Sequence, residues 1–451
     1  MGKMEKRGKK FLLHWSPIAI LVGLTFPSDP IFAQQPLTAL PQNQYQVAAP
    51  LPVTGVVAWP KRTMTLAEVG GRATHNHPAV QQAQRQAEAL RGAWVQAGLR
   101  PNPLVGYSAE DMTGTHAGTQ GITFSQPITP RVKLDARQTA VDREYQAALQ
   151  AYQIQYQKAV NDAMLTAYRV AFSYQKCLIL EELTQLFQES QQVWGGLLQS
   201  QEIGRPAFLD LKIQVERTRI ALKDEEIVYR TACKELAILL ALPADELLEI
   251  TDPVEMLTPA LNEETLFAEI QSSSPELRQA YAEVETAKAR LKQQGAEAKM
   301  DYDTDAKIAY NTDTRQTEFS LGVAVPIRIF DRNQGNIQRA RSELAASQRN
   351  VERLEWLLAQ RYERQLGEYQ TARNRVVSYR ENILPDAREL LDSALAAHRR
   401  GEYGSHELLE AKRTYSTVQV EYLDNLNALM ESQVLLQGAL LSGGLERPGA
   451  E

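Results

Sequence analysis

Two short stretches of the chain alternate apolar with small or polar residues and then run directly into long polar segments. In residues 317–325, Phe319, Leu321, Val323 and Val325 alternate with small or polar side chains, which is the two-residue period of a β-strand. Residues 121–131 repeat this pattern in shorter form. Polar, turn-like segments separate each stretch from another alternating one before it. The pattern therefore predicts two hairpins, with strands at about 103–111, 118–126, 301–310 and 317–325.

The strands of the second predicted hairpin are amphipathic. In the third strand, aspartates and Lys307 occupy one face, and tyrosine, threonine, alanine and isoleucine occupy the other. One face suits lipid and the other water, and about ten residues is the length at which a tilted strand crosses an outer membrane. A soluble hairpin pair packed on a helix is the interpretation left open beside it. The candidate lipid-facing residues are Tyr302, Ile308, Tyr310, Phe319, Leu321 and Val323.

Long segments without proline surround these strands and predict long helices. Proline is absent from residues 131–205, 207–242, 276–325 and 327–384, which outside the strands are rich in good helix formers. A helix over residues 133–200 would be about 100 Å long at 1.5 Å per residue, more than an ordinary globular domain can use. Pro326 is expected to end the fourth strand, and Asp331 is expected to cap the helix that follows.

Residues recur in the same order about 200 positions apart, which indicates an internal duplication. Among them, Pro78, Gly98 and Gly204 recur as Pro275, Gly295 and Gly404. Each half then has the order helix, two strands, long helix, turn, long helix. The predicted organisation is a proline-rich arm at 34–62, a first repeat at 63–250, a linker at 251–262, a second repeat at 263–445 and a tail at 446–451.

The amino-terminal composition predicts export. Residues 1–33 carry five basic and two acidic side chains, an apolar run and a final Ala33, which is the pattern of a secretory signal peptide. Removal of this net charge of +3 would change the formal charge of the chain from −6 to −9. A chain this acidic is not expected to bind nucleic acid.

The residues that carry chemistry are sparse. Cys177 and Cys233 lie 28 residues on either side of position 205, so an antiparallel helix pair would place them at the same height. A disulfide and two separate buried thiols both fit this spacing. The histidines His75, His77, His116, His398 and His406 form no closed metal-ligand pattern, and the sequence has no phosphate-binding loop, HExxH motif or nucleophile elbow. We expect no metal site, no cofactor and no enzymatic activity.

The signal peptide, the arm and the duplicated unit together resemble the TolC family of outer-membrane efflux channels over nearly all of the mature chain. NHPAV at 76–80, QAGLRPNP at 96–103 and FSQPITPRVKLDAR at 124–137 are similar to the heavy-metal branch of that family, the CzcC-like proteins. The branch often has Gly-Gly-Lys-Arg after its Gln-Pro, where this chain has Thr-Pro-Arg-Val-Lys at 129–133.

The resemblance implies a mainly α protein with a small β part. It implies a homotrimer in which four strands per chain build a twelve-stranded β-barrel in the lipid of the outer membrane, continued by a long periplasmic α-helical barrel. It further implies docking to a periplasmic adaptor (membrane fusion) protein and to an inner-membrane pump of the resistance-nodulation-division (RND) type. The expected function is passive efflux of substrate, with heavy-metal cations as the leading cargo. Efflux of drugs or other organic compounds is the alternative within the family, and a periplasmic coiled-coil scaffold or adaptor is the alternative of another class.

The turns near residues 204 and 404 each join two proline-free helices and so mark the far tips of two helical hairpins. Glycine and proline suit such turns, and Ser405 is a candidate N-cap. The resemblance implies that the tips, at about 202–206 and 399–405, contact the adaptor. The candidate docking residues are Gly204, Arg205, Pro206, Gly401, Tyr403 and Gly404.

An acidic pair follows the second tip. Glu407 and Glu410 are three residues apart and therefore share one face of a helix. The resemblance implies that they form acidic rings at the periplasmic entrance of the channel, where three chains would bring six carboxylates together. The equivalent stretch of the first half keeps only Asp210. A solvated acidic face near a helix N-terminus is the other interpretation.

Overall fold

The structure is a computed structural model that describes residues 62–75, 77–112, 118–243, 246–252 and 261–445. The predicted signal peptide at 1–33, nearly all of the arm at 34–62, His116 and the tail at 446–451 lie outside the described residues. From Arg62 onward the described residues belong to one compact unit. This unit is mostly helical and has two small sheets, so the prediction of a mainly α fold with a small β part is confirmed.

The described residues form nine α-helices and six β-strands. The helices are α1 (Leu66–His75), α2 (Pro78–Ala97), α3 (Arg131–Gln199), α4 (Arg205–Leu239), α5 (Glu263–Ser273), α6 (Pro275–Glu297), α7 (Gln334–Ser378), α8 (Leu384–Arg399) and α9 (Ser405–Gln437). The strands are β1 (Arg62–Met64), β2 (Leu104–Glu110), β3 (Thr119–Ile128), β4 (Leu248–Ile250), β5 (Tyr302–Asn311) and β6 (Gln316–Ala324). Helix α3 alone has 69 residues. Across the described ranges, none of the helices is both long enough and apolar enough to cross a membrane.

The larger sheet takes one hairpin from each half of the chain. Its four strands are antiparallel in the order β2-β3-β5-β6. The central pairing joins β3 to β5 along their whole length, from Thr119 opposite Asn311 to Ile128 opposite Tyr302. The inner strands are therefore paired on both sides, and β2 and β6 form the two edges of the sheet.

The main core lies where the helices meet the small parallel sheet formed by β1 and β4. Met64 and Leu248 are buried there together with side chains of α1, α3, α4, α5, α7 and α9. The hydroxyl of Tyr229, on α4, donates a hydrogen bond to the carbonyl oxygen of Leu248 at 2.8 Å. This sheet could not be predicted from the sequence, because strands of three residues are too short to show an alternating pattern.

The helical structure that begins with α7 does not stop before Pro385. Residues Tyr379–Ile383 form a π-helical turn between α7 and α8, and Pro385 then lies in the first turn of α8. Proline lacks a backbone donor and crowds the carbonyl four residues earlier. A widened turn accommodates both effects, so helical structure continues from Gln334 to Arg399 with one irregular turn.

The expectation that Asp331 caps the helix after β6 is wrong. Helix α7 begins at Gln334, and Asn333, which precedes it, has a left-handed backbone with a φ of 62°. The Asp331 carboxylate instead accepts a hydrogen bond from the backbone N–H of Asn333 at 2.9 Å. The Asn333 amide donates to the carbonyl oxygen of Gln294 at 2.8 Å, which ties the start of α7 to α6. Strand β6 ends two residues before Pro326.

Candidate functional site

One face of the four-stranded sheet is apolar and exposed. Strands β5 and β6 place the six predicted lipid-facing residues on it, because directly opposed residues of paired strands share a face. All six are exposed, Leu321 most of all at 88%. These residues are Tyr302, Ile308, Tyr310, Phe319, Leu321 and Val323. Their contact with lipid remains a prediction.

The first hairpin extends this face with residues that are not among the six predicted ones. Ile122 lies opposite both Ile308 and Tyr107, and Phe124 lies opposite Val105. The side chains that the first hairpin adds are all exposed. Their alternation was present in the sequence, but intervening glycine, threonine and glutamine residues make it weaker than in β6.

The opposite face of the sheet is polar and mostly acidic. Glu110, Asp303, Asp305 and Glu318 lie on it, and Lys307 pairs there with Glu110. Gly322 lies directly opposite Asp305, and a side chain at this glycine would collide with the aspartate carboxylate. The sheet therefore separates an apolar surface from a charged one, as a strand set between lipid and water requires.

A buried ion network joins the sheet to the helices. The side chain of Lys133, at the start of α3, is 1% exposed, and its Nζ lies 2.7 Å from the Asp301 carboxylate and 3.8 Å from Glu297. Arg137 donates two hydrogen bonds to the Glu297 carboxylate, at 2.5 and 3.0 Å. Loss of one partner from such a pair leaves an uncompensated buried charge. The network therefore fixes β5 relative to α3 and α6, which gives Lys133 and Arg137 of the FSQPITPRVKLDAR motif a structural role.

The two hairpin tips share one backbone turn. The N–H of Glu202 donates to the carbonyl oxygen of Leu197 at 2.9 Å, and the N–H of Glu402 donates to that of Ala397 at 2.9 Å. This bond and a left-handed residue just before its donor define a Schellman motif at a helix C-terminus. The left-handed residue is Gln201 in the first tip, with a φ of 61°, and Gly401 in the second, with a φ of 74°.

The predicted docking residues are all exposed at these tips: Gly204, Arg205, Pro206, Gly401, Tyr403 and Gly404. Gly204 and Gly404 are N-cap residues with extended backbones, so neither needs the left-handed conformation. The expectation that Ser405 is an N-cap is wrong, since it is the first residue of α9. Contact of these residues with an adaptor remains a prediction.

A groove lies between the two tips. It has a volume of 590 Å³, and its lining includes Trp194, Asp210, His406 and Glu407. The rings of Trp194 and His406 are 6.0 Å apart between centroids. Leu409, on α9, is buried in an apolar cluster with side chains of α3 and α4. Apolar contacts therefore hold the second tip against the first hairpin.

The two predicted gate carboxylates differ in their surroundings. Glu407 is exposed in the first turn of α9 and faces the groove, and it forms no ion pair with any residue that the structure describes. Glu410 is half-buried, and Arg413 Nη1 lies 3.4 Å from its carboxylate. Of the two, Glu407 carries the uncompensated charge. The function of the pair as a gate remains a proposal.

The cysteines are separate buried thiols in the main core. Cys177 and Cys233 are both free, and each is 1% exposed. Burial raises the pKa of the Cys177 thiol to about 12 and also raises the pKa of Cys233. Because the thiolate is the reactive form, both side chains are inert in the folded protein.

Among the described residues, no three or more histidine, cysteine, aspartate or glutamate side chains are grouped in a way that could hold a metal ion. His75 and His406 are exposed, and His77 is buried. His398 Nδ1 lies 3.0 Å from the carbonyl oxygen of Tyr403, inside the second tip.

The sequence and the fold of the chain are similar to those of known proteins. Residues 266–440 match the family described as outer membrane efflux protein. The cobalt-zinc-cadmium resistance protein CzcC of Cupriavidus metallidurans is 22% identical over 378 residues, 79% of this chain and 85% of that protein. A crystal structure of CusC from a study of transmembrane channel formation has a TM-score of 0.68 at 18% identity, over 84% of this chain and 92% of that one. The Campylobacter jejuni CmeC outer membrane channel has a TM-score of 0.66 at 14% identity, over 88% and 92% of the two chains.

The match to the outer membrane efflux protein family thus lies in the second half of the chain. The chain shares its fold with these two solved structures.

Proposed function

We propose that the protein is the outer-membrane channel of a tripartite efflux system and conducts exported substrate passively from a pump and an adaptor to the exterior. The observation that carries the proposal is the four-stranded sheet, whose edge strands β2 and β6 each have one paired side within the described chain. Unpaired edges and a broad exposed apolar face are unfavourable in water. Four strands cannot close a membrane barrel, since the smallest use about eight.

Three copies of the chain would pair the free edges of the sheet. If β6 of each copy pairs with β2 of the next, three sheets of four strands close into a twelve-stranded barrel. The apolar face then contacts lipid, and the acidic face lines the lumen. Helix α3 starts three residues after β3 ends, and its length of about 100 Å carries the wall far into the periplasm.

The far ends of the helical hairpins are the natural place for the partners. The exposed tips, with Arg205 and Tyr403, would meet the adaptor, and an RND-type pump would supply the energy. Glu407 and Glu410 would form the periplasmic constriction, because symmetry brings the copies of each carboxylate together and concentrates cations there.

The proposed cargo is heavy-metal cations, supported by the similarity to the cobalt-zinc-cadmium resistance protein. The acidic face of the sheet would favour cations in the lumen. Deletion of the gene followed by growth on cobalt, zinc, cadmium and copper tests this cargo, with organic compounds and detergents as the parallel panel. Hypersensitivity to organic compounds alone would replace the metal cargo by the organic one.

The channel itself is tested separately from its cargo. We expect the full-length protein in the outer-membrane fraction, as a trimer that resists dodecyl sulfate until heated, and we expect ion conductance after its reconstitution into planar bilayers. A soluble periplasmic monomer without conductance would instead support the scaffold or adaptor class.

A further inference from the structure

Four connections join the larger sheet to the helices α2, α3, α6 and α7, and all of them lie at one end of the sheet. Ile128, which ends β3, lies opposite Tyr302, which begins β5. The outer strands begin or end near the same level, at Leu104 of β2 and Ala324 of β6. We call these connections, together with the first two residues of α3, the collar. It consists of residues 98–103, 129–132, 298–301 and 325–333.

The sign of the charge changes where the strands meet the collar. In the four strands of the larger sheet, every charged side chain except Lys307 is acidic. The collar carries Arg100, Arg131, Lys299, Arg328 and Arg332 against Asp301 and Asp331. Asp301 is already paired with the buried Lys133 at 2.7 Å. The collar is therefore positively charged, in a chain whose formal net charge is −6.

The cations of the collar are largely free to bind a partner outside the chain. Arg100, Lys299 and Arg332 are exposed, and none of them forms an ion pair with a residue that the structure describes. The Arg131 side chain is 89% exposed and lies 3.7 Å from the exposed Asp135 carboxylate. An ion pair exposed to water in this way contributes little.

Each connection also exposes at least one large apolar side chain close to its free cation. These side chains are Leu99, Val132, Met300, Ile327, Ile329 and Phe330. Phe330 is 88% exposed and Ile327 is 82% exposed. Arg328, between them, donates a hydrogen bond to the carbonyl oxygen of Glu297 at 2.7 Å. This connection is therefore held against α6 while its apolar side chains face outward from the chain.

The apolar face of the sheet continues into the collar. Val325 follows Leu321 and Val323 at the same two-residue spacing, and Met300 precedes Tyr302 at that spacing. Both Val325 and Met300 are exposed. The collar thus combines an apolar edge with cations on long side chains. Such side chains lay their apolar stems along an apolar surface and keep the charged group at the polar boundary.

We propose that the collar binds the anionic headgroups of phospholipids in the leaflet that faces the periplasm. This inference rests on the proposed barrel, which places the apolar face of the sheet in lipid. The apolar collar residues enter the boundary of the acyl chains, and Arg100, Arg131, Lys299 and Arg332 contact headgroup phosphates. Basic residues near an anionic membrane surface are attracted to it within a screening length. The collar thereby sets the height of the channel in the membrane.

Electron spin resonance of the full-length trimer in phosphatidylcholine vesicles tests the headgroup preference. Spin-labelled phosphatidylglycerol should associate with the protein about three- to fivefold more strongly than spin-labelled phosphatidylcholine, and salt should reduce this ratio. Arg100→Gln with Lys299→Gln should lower the ratio at least about twofold. Arg217→Gln with Lys223→Gln removes two exposed cations of α4 and should leave it unchanged. Equal association of both lipids, or equal loss in both variants, would overturn the proposal.

A depth measurement separates the collar from the channel itself. Cys177 and Cys233 are buried, so a new cysteine can be labelled alone. Phe330→Cys, Leu321→Cys and Trp356→Cys each carry a fluorophore, and phosphatidylcholine brominated near its headgroup is the quencher. Trp356 is 79% exposed and lies about 33 Å into α7. Quenching is expected for the labels at 321 and 330 but not for the label at 356.

The other outcomes have distinct meanings. Quenching of the 321 label alone would overturn the lipid collar and leave the channel standing. If an aqueous quencher also failed to reach the 330 label, a neighbouring chain would be what covers this position. Absence of quenching at all three positions would overturn the proposed barrel and the collar together. Trimer size and conductance check that each variant assembles.

Discussion

At the scale of single residues, His77 is a buried polar side chain that the described residues around it do not compensate. It lies directly before α2 and is 1% exposed, and neither ring nitrogen has a hydrogen-bond partner among the described residues. Burial lowers the pKa of His77, and the nearby Asp162 carboxylate opposes this shift more weakly. The folded protein therefore keeps this histidine neutral, whereas the unfolded chain protonates it near its ordinary pKa of about 6.5.

The lowered pKa predicts acid sensitivity. The contribution of His77 to the free energy of unfolding is fully present above about pH 6.5. It is lost as the pH falls toward the pKa of His77 in the folded protein, because the unfolded state binds more protons in that window. His77→Phe should remove this part of the pH dependence and cost little at pH 8, since an apolar ring replaces an unpaired polar one. Thermal unfolding followed by circular dichroism between pH 5 and 8 measures it. His75→Phe, at an exposed position, serves as the control, and an unchanged pH slope in His77→Phe would contradict the assignment.

The two acidic residues after the second tip are expected to contribute unequally. Glu407 is unpaired within the described structure, whereas Glu410 is partly neutralised by Arg413. In planar bilayers, Glu407→Gln should weaken block by trivalent cations more than Glu410→Gln does, and the double variant should remove the block. Asp210→Gln, on the first hairpin, provides the comparison. Unchanged block in the double variant would place the constriction elsewhere.

At the scale of elements, the two hairpin tips have the same backbone turn but different residues at its left-handed position. Gln201 and Gly401 have the same left-handed backbone, but only glycine adopts it without steric cost. Gln201→Gly should stabilise the first tip by about 1 kcal/mol, and Gly401→Ala should destabilise the second by a similar amount. Hydrogen exchange of the tip amides measures both effects, and Glu202→Gly, outside the left-handed position, should not be stabilising. Equal responses at positions 201 and 202 would refute the argument.

The sequence predicts elements well where a pattern is long, and poorly where a few contacts decide. Absence of proline was sufficient to predict α3, which extends over 69 residues. The presence of proline did not mark a helix end at Pro385, because a π-helical turn lets the helix continue. The residue type likewise did not identify the start of α7. Asp331 was the predicted cap, but Asn333, which donates a hydrogen bond to Gln294, directly precedes the helix. Choices of this kind depend on the space and partners that neighbouring elements provide.

At the scale of the whole molecule, the two faces of the sheet predict opposite responses to the same substitution. Leu321 lies on the apolar face and is 88% exposed, and Ser320 lies next to it on the polar face. If the sheet closes a barrel in lipid, Leu321→Arg should destabilise the trimer by about 2 to 4 kcal/mol. Ser320→Arg should cost little, because its side chain would face water.

The temperature at which the trimer dissociates in dodecyl sulfate measures both variants, and the amount recovered from the outer-membrane fraction checks their assembly. Equal effects of the two arginines would argue against a lipid-facing surface. A larger effect of Ser320→Arg would reverse the assignment of the faces.

The long helices and the amphipathic strands could be predicted without a structure, because both follow a fixed period along the chain. The spacing of apolar residues indicates which side of a helix or strand faces water, whatever elements pack against its other side. The contacts between residues far apart in the chain could be seen only in the folded molecule. It paired β1 with β4, buried Lys133 between Glu297 and Asp301, and gave Glu410 a partner. Such contacts join residues far apart in the chain, and their energies depend on burial and distance, which no local pattern encodes.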